Sequence, residues 1–129
     1  MLRKAAMVFG AVFVIIGLGG FIPALTTTND EGLELLLGIF VVGGLHNVIH
    51  LLSGVGAFLG STSEKYARLY FQVFGVVYSV VTVVGFAQGD TVLGLIDVNL
   101  ADNVLHLAIA ATTLYLGFGT AADGSKKTA

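Results

Sequence analysis

The pattern Asn-x-x-His-Leu occurs twice in the chain, as Asn47-Val48-Ile49-His50-Leu51 and as Asn103-Val104-Leu105-His106-Leu107. Both copies lie within apolar stretches that are compatible with helices in a membrane. They are the most conspicuous polar groups of these stretches, and their recurrence indicates an internal duplication. This duplication organises the predicted architecture of the whole chain.

The composition indicates a membrane protein. Of the 129 residues, 56% are hydrophobic and 11% are charged, whereas soluble domains average about 25% charged residues. A soluble protein of this size has too little interior to bury so much apolar surface, so the expected partner is the lipid bilayer. The net charge of −2 gives no reason to expect nucleic acid as a partner, and the absence of Cys excludes disulfides and thiolate metal sites.

The basic residues occur in only three places, the N-terminus, one central loop and the C-terminal tail, as Arg3, Lys4, Lys65, Arg68, Lys126 and Lys127. The other two polar gaps contain no Lys or Arg and hold Asp30, Glu31, Glu34, Asp90 and Asp97. Because cytoplasmic loops collect Lys and Arg, we predict that both termini and the central loop are cytoplasmic. The predicted location is the cell (plasma) membrane.

Four apolar stretches provide the even number of crossings that this orientation requires. The predicted spans cover residues 5–25, 41–60, 67–87 and 100–119, each close to the roughly 20 residues that a bilayer needs. The first apolar run is too long for a signal-peptide core and lacks a clear cleavage site, so we expect a retained helix. Residues 120–129 are expected to form a disordered cytoplasmic tail.

Two short apolar segments, residues 33–40 and 91–97, are predicted on the extracytoplasmic side, before the second and fourth helices. Each contains a Leu-Gly pair. We predict that each segment is a short helical or re-entrant piece whose backbone is satisfied by protein or water. Asn99 and Asp102 have the spacing of a capping box, which predicts that the fourth helix begins near Asn99.

Further matches occur in the same order along the chain, since residues 8–13 resemble residues 73–78 and Gly20-Phe21 resembles Gly85-Phe86. Each copy contains two crossings, so both copies insert with the same polarity, as parallel repeats do. The predicted fold class is therefore all-α. It is a polytopic membrane protein with four transmembrane helices, built as two parallel helical-hairpin repeats.

Helical spacing places the polar residues of the second and fourth spans on one face of each helix, because residues i, i+3 and i+4 share a face. If the repeats are symmetric, the two faces meet near the central axis. The predicted polar cluster then consists of His46, Asn47, His50, Asp102, Asn103 and His106.

Three interpretations of this cluster remain open. In the first, each Asn amide hydrogen-bonds a His across the axis and locks the hairpins together without any ligand. In the second, three imidazoles and one carboxylate hold zinc or another first-row metal ion. In the third, the cluster handles protons or a small substrate, or holds haem. A simpler alternative places His46 and Asp102 at the hydrated outer interface. The metal is unknown, and the expectation is that there is no cofactor.

The chain also resembles a known family through Leu37-Gly38-Ile39-Phe40, Asn47-x-x-His50-Leu51-x-x-Gly54, Gly75-x-x-Tyr78 and Asp97-x-Asn99-x-x-Asp102-Asn103-x-x-His106-Leu107. Together these elements resemble an uncharacterised family of small bacterial four-helix membrane proteins, a domain of unknown function (number 4383). The resemblance covers nearly the whole chain, to about Gly119. It implies the four-crossing architecture and supplies no activity, cofactor or catalytic residue.

The sequence contains no nucleophile–base pair with an orienting acid and no phosphate-binding loop. We therefore predict no enzymatic activity and no catalytic residues. The expected function is a structural or accessory membrane protein in which a buried Asn/His seam joins the second and fourth helices, as a homo-oligomer or a subunit of a larger complex. The alternative is a small-molecule, proton or metal/haem-binding membrane protein that uses His46, His50, Asp102 and His106.

Overall fold

The computed structural model describes residues 1–121, which form four helices and two small antiparallel sheets. The helices are α1 (Leu2–Gly19), α2 (Gly44–Gly60), α3 (Glu64–Gln88) and α4 (Leu100–Leu114). A 3-10 turn over Pro23–Leu25 follows α1, and a π-helical turn over Tyr115–Gly119 extends α4. Most of the predicted tail, residues 122–129, lies outside the described residues.

Three helical segments in the described part of the chain are long and apolar enough to cross a membrane. These are α1, α3 and the continuous helix Leu100–Gly119, which α4 forms with its π-helical turn. The fourth helix, α2, is also apolar but has 17 residues, slightly fewer than the roughly 20 that usually span a bilayer. The protein is therefore mostly helical, and three of its four helices have the length and apolarity of membrane spans.

The helices pack in two pairs, α1 with α2 and α3 with α4, and glycines allow the two helices of each pair to come close together. Gly10 of α1 lies beneath the ring of Phe58 in α2, where an added Cβ atom would lie 2.9 Å from the ring. Gly75 of α3 lies against Leu114 of α4, where a Cβ atom would lie 2.8 Å from the side chain. Because lipid provides no hydrophobic drive between helices, small residues that permit this close packing stabilise the association.

The segments before α2 and α4 are β-hairpins, which corrects the prediction of helical or re-entrant pieces at residues 33–40 and 91–97. The fold is thus mostly helical rather than all-α. The first sheet contains β1 (Thr26–Thr28), β2 (Glu34–Leu36) and β3 (Phe40–Val42), in that order. The second sheet pairs β4 (Thr91–Val92) with β5 (Ile96–Asp97).

The two Leu-Gly pairs explain why hairpins form here. Leu37 and Gly38 have φ values of 54° and 70°, and Leu93 and Gly94 have φ values of 56° and 68°. Positive φ at both central residues defines a type I′ turn, whose twist matches that of paired strands and does not fit a right-handed helix. A short apolar run is ambiguous between helix and strand by pattern alone, and the turn conformation decides between them.

Side-chain caps define where α3 and α4 begin. The Ser63 side chain accepts a hydrogen bond from the Tyr66 backbone N–H at 3.1 Å. At α4, the Asn99 side chain accepts from the Asp102 N–H and the Asp102 carboxylate accepts from the Asn99 N–H, both at 2.9 Å. The predicted capping box is therefore present, and it satisfies backbone donors that the helix itself leaves free.

Arg3 at the start of α1 and Arg68 near the start of α3 lie at one end of the bundle. The Arg3 side chain donates to the Ser61 carbonyl at 2.8 Å, which joins the start of α1 to the connection between α2 and α3. Arg68 of α3 donates to the Thr120 carbonyl at 2.9 Å, beyond the end of α4. The two sheets lie at the other end of the bundle, where the first connects α1 to α2 and the second connects α3 to α4.

The first prediction concerns Gly54 of α2, which lies against the backbone of α1. A Cβ atom at this position would lie 2.9 Å from the Gly10 carbonyl oxygen and 3.0 Å from the Val14 nitrogen. We expect Gly54→Ala to lower the free energy of unfolding by about 1–3 kcal/mol, the usual cost of overpacking, although Ala favours helix more than Gly does. Thermal unfolding in detergent measures the change.

The matched control is Gly44→Ala in the first turn of the same helix, because a Cβ atom there meets nothing within 4 Å. This variant is expected to be as stable as the wild type or slightly more stable. Equal stability of the two variants would contradict the close contact between α1 and α2.

Candidate functional site

The chain's three histidines form one buried cluster. His46 and His50 belong to α2, His106 belongs to α4, and one ligand nitrogen from each residue lies within 4.8 Å of those of the other two. The ring centroids of His46 and His50 are 4.5 Å apart, and those of His46 and His106 are 5.8 Å apart. The three residues are only 4–7% exposed.

The positions of the histidines follow from helical spacing and from the packing of α2 near α4. His46 and His50 are four residues apart, so they lie one above the other on the same face of α2. His106 stands at the position in the second half that corresponds to His50 in the first half. The predicted meeting of these polar faces is therefore observed for the histidines.

Asp102 does not belong to the cluster, which corrects the predicted ligand set of three imidazoles and one carboxylate. Its Oδ2 atom accepts hydrogen bonds from the Val41 N–H at 3.0 Å and from the Asn99 N–H at 2.9 Å. The carboxylate is thus used to cap α4 and to bind β3. His46 and Asp102 are both buried, so the alternative that placed them at a hydrated interface is also wrong.

The two asparagines contact the helix that precedes their own, and not the histidines. The Asn103 amide donates to the carbonyl oxygens of Gly85 at 3.1 Å and Gly89 at 3.4 Å, at the end of α3. Asn47 packs in the corresponding way against Gly20, directly after α1, where an added Cβ atom would collide with its amide. The prediction of Asn–His hydrogen bonds across the axis is therefore wrong for Asn103, and Asn47 makes no such bond among the described residues.

The histidines have unused hydrogen-bonding capacity. Within residues 1–121, the Nδ1 atoms of His46, His50 and His106 are buried and have no hydrogen-bond partner. A buried polar atom without a partner costs about 1–3 kcal/mol, and native proteins leave few of them. Three such atoms therefore lie together in one cluster, at the place where α2 comes close to α4.

Two aromatic rings pack against the cluster on the side of α1 and α3. The ring of Phe13 lies 5.6 Å from that of His50, and the ring of Tyr78 lies 5.7 Å from that of His106. The two aromatic rings are 5.8 Å apart. Sequence reasoning missed this pair as part of the site, although the alignment of residues 8–13 with 73–78 matches Phe13 with Tyr78 and is the signal that could have found it.

A cavity of about 250 Å³ adjoins the histidines. All three histidines line it, together with Ser53 of α2 and Tyr78 of α3. The rest of its wall consists of apolar side chains from α2, α3 and the β4–β5 hairpin. The cavity therefore combines a polar end, at the histidines, with an otherwise apolar wall, which is the usual make-up of a small-molecule site.

These features define a class of protein, mostly helical, with membrane-compatible helices and a buried three-histidine cluster beside a cavity. The chain belongs to the family described as Domain of unknown function (DUF4383), whose sequence profile matches residues 3–119. The family resemblance noted from the sequence is thus confirmed. No curated protein and no solved structure matches the chain.

The second prediction tests the structural role of Asn103. We expect Asn103→Ala to lower the free energy of unfolding by about 1–3 kcal/mol, because it removes a buried donor that two carbonyl oxygens use. Thermal unfolding in detergent checks this value. Val104→Ala, next to it on the exposed face of α4, is the control. Equal destabilisation by the two substitutions would contradict a positioning role for Asn103.

Proposed function

We propose that the protein is an integral membrane protein that binds a transition-metal ion at His46, His50 and His106. The observation that carries the proposal is the convergence of three buried ligand nitrogens within 4.8 Å, in rings whose Nδ1 atoms have no partner among the described residues. The proposed role is binding rather than catalysis. Assembly as a homo-oligomer or within a larger membrane complex stays a prediction.

The proposed architecture has four transmembrane helices in two parallel helical-hairpin repeats. Equivalent contacts in the two halves support it, because Gly20 against Asn47 in the first half is matched by Gly85 against Asn103 in the second half. The type I′ turns before α2 and α4 are a second matched feature. Both features occur in the same order along the chain, as a duplication requires.

The course of the chain supports a crossing by α2 despite its length. The helix begins directly after β3, at one end of the bundle, and ends next to Ser61, whose carbonyl binds Arg3 at the other end. A span of 17 residues rises about 25 Å, and a bilayer accommodates a deficit of a few ångströms by local thinning. Four crossings result.

The proposed orientation places the end of the bundle with Arg3, Lys65 and Arg68 in the cytoplasm and the two sheets outside. Basic residues mark the cytoplasmic side of membrane proteins, and the acidic residues of the outer segments have no basic neighbours in sequence. Both termini are then cytoplasmic, in the plasma membrane.

The donor set suits zinc, copper, iron or nickel. Imidazole nitrogen is a common ligand of these ions, whereas calcium and magnesium prefer oxygen. Nitrogens bound at 2.0–2.1 Å in a tetrahedral site lie about 3.4 Å apart, so small rotations of the three rings would complete the site. Three protein ligands leave a fourth coordination position for water or for a bound molecule.

The third prediction tests metal binding. Protein purified in detergent is expected to contain about one transition-metal ion per chain by mass spectrometry, because three imidazoles bind such ions tightly. The double variant His50→Ala with His106→Ala is expected to lose it. The control is Asp102→Asn, which changes the carboxylate that the structure places outside the cluster and should keep the metal.

Two outcomes would contradict the proposal. Wild-type protein without stoichiometric metal, which also fails to take up added Zn²⁺ or Cu²⁺, would leave the histidines a structural role. Loss of metal in Asp102→Asn equal to that in the double variant, with thermal stability unchanged from the wild type, would show that the ligand set is not the three histidines.

The fourth prediction tests the topology. The chain has no Cys, so single cysteines can be introduced at the exposed residues Glu31, in the outer segment, and Thr62, between α2 and α3. In intact cells a membrane-impermeant maleimide is expected to label Glu31→Cys at once and Thr62→Cys only after permeabilisation. The reverse pattern would contradict the orientation, and labelling of both in intact cells would contradict a crossing by α2.

A further inference from the structure

The cavity beside the histidines is large enough for a ring molecule. Its volume is about 250 Å³, whereas an apolar cavity of roughly 150 Å³ binds benzene. Aliphatic side chains from three elements line it. They are Ile49 and Leu52 of α2, Val77 and Val81 of α3, and Val92 and Ile96 of the β4–β5 hairpin. Because each ordered water needs two to four polar partners, these walls are poorly suited to water.

The cavity reaches the apolar outer surface between α2 and α3. Leu52 and Val77 line the cavity, yet they are 65% and 48% exposed, so they stand at its mouth. In the proposed membrane orientation this surface faces lipid chains and not the aqueous phase. A molecule dissolved in the bilayer would therefore reach the cavity without passing through water.

The inner end of the cavity can recognise an oxygen atom. His46, His50 and His106 line it, together with Ser53 and Tyr78. A neutral imidazole carries one N–H donor and one acceptor nitrogen. The cluster can therefore donate a hydrogen bond to a carbonyl oxygen or accept one from a hydroxyl group.

We propose that this cavity binds a lipid-soluble ring molecule that carries a hydroxyl or carbonyl oxygen and enters laterally from the bilayer. The ring, about the size of two fused six-membered rings, packs against the aliphatic walls. The oxygen lies at the histidine end. This inference goes beyond metal binding and does not require it, because the imidazoles themselves supply the hydrogen-bonding groups.

The fifth prediction compares two probes, 2-naphthol and naphthalene, which differ only in one hydroxyl group. Their binding to the whole protein in lipid nanodiscs is measured by equilibrium dialysis, with empty nanodiscs subtracted to remove partitioning into lipid. We expect saturable binding of one 2-naphthol per chain. One hydrogen bond should make its affinity about three- to tenfold higher than that of naphthalene.

Matched variants locate the site. Val81→Phe introduces a larger side chain into the cavity wall and is expected to abolish saturable binding of both probes. Val83→Phe makes the same change on the exposed face of the same helix, outside the cavity, and should bind as the wild type does. His106→Leu is expected to reduce the affinity for 2-naphthol to that for naphthalene, while leaving naphthalene binding unchanged.

Several results would overturn the inference. One is uptake that never saturates, and another is an equal loss of binding in Val81→Phe and Val83→Phe. Equal affinity of the wild type for the two probes would exclude recognition of the oxygen. The metal content of the same preparations is measured in parallel. Saturable binding without metal would then refute only the metal site, and metal without saturable binding would refute only the cavity ligand.

Discussion

The close approach of the two helices in each hairpin is the constraint on which the rest of the structure depends. At Gly17 of α1 an added Cβ atom would lie 2.9 Å from the Asn47 carbonyl oxygen, so the two backbones touch one turn from the histidines. In lipid, such packing and buried hydrogen bonds take the place of the hydrophobic effect between helices. The contact sets the rotation of α2 about its own axis and thereby directs His46 and His50 towards the bundle interior.

The asparagines and the histidines of the repeated Asn-x-x-His pattern have different tasks. Asn103 binds the last carbonyl groups of α3, which fixes the position of α4 along α3. His106, three residues later, lies to one side of that face and reaches the cluster. In α2, which has the same spacing, Asn47 packs against Gly20 and His50 reaches the cluster. The pattern therefore couples the packing of each hairpin to the placement of one histidine.

Much of the fold could be predicted from the sequence, because apolar runs and capping spacing are local properties. The grouping of the histidines was also accessible, since it follows from the recurrence of Asn-x-x-His in the sequence and from helical periodicity. The hydrogen-bond partner of each polar group could not be predicted from the sequence. Helical spacing tells which face a side chain occupies but not which backbone group lies opposite, so the partners of Asp102 and Asn103 were missed. The hairpins were missed because Leu37 and Leu93 adopt positive φ, which apolar residues rarely do.

The site depends on a difference between the two halves of the proposed repeat. His46 and Asp102 stand at corresponding positions, yet His46 joins the cluster while Asp102 accepts a hydrogen bond from Val41, in the sheet of the other half. The Asn99 side chain adds a second link between the halves by donating to the Ile39 carbonyl at 2.8 Å. One half therefore supplies the additional imidazole, and the other supplies the bonds that hold the first sheet to the start of α4. Perfect symmetry would place two histidines or two carboxylates at these positions. Two histidines would leave no carboxylate to hold the first sheet to α4, and two carboxylates would leave the cluster without its third imidazole.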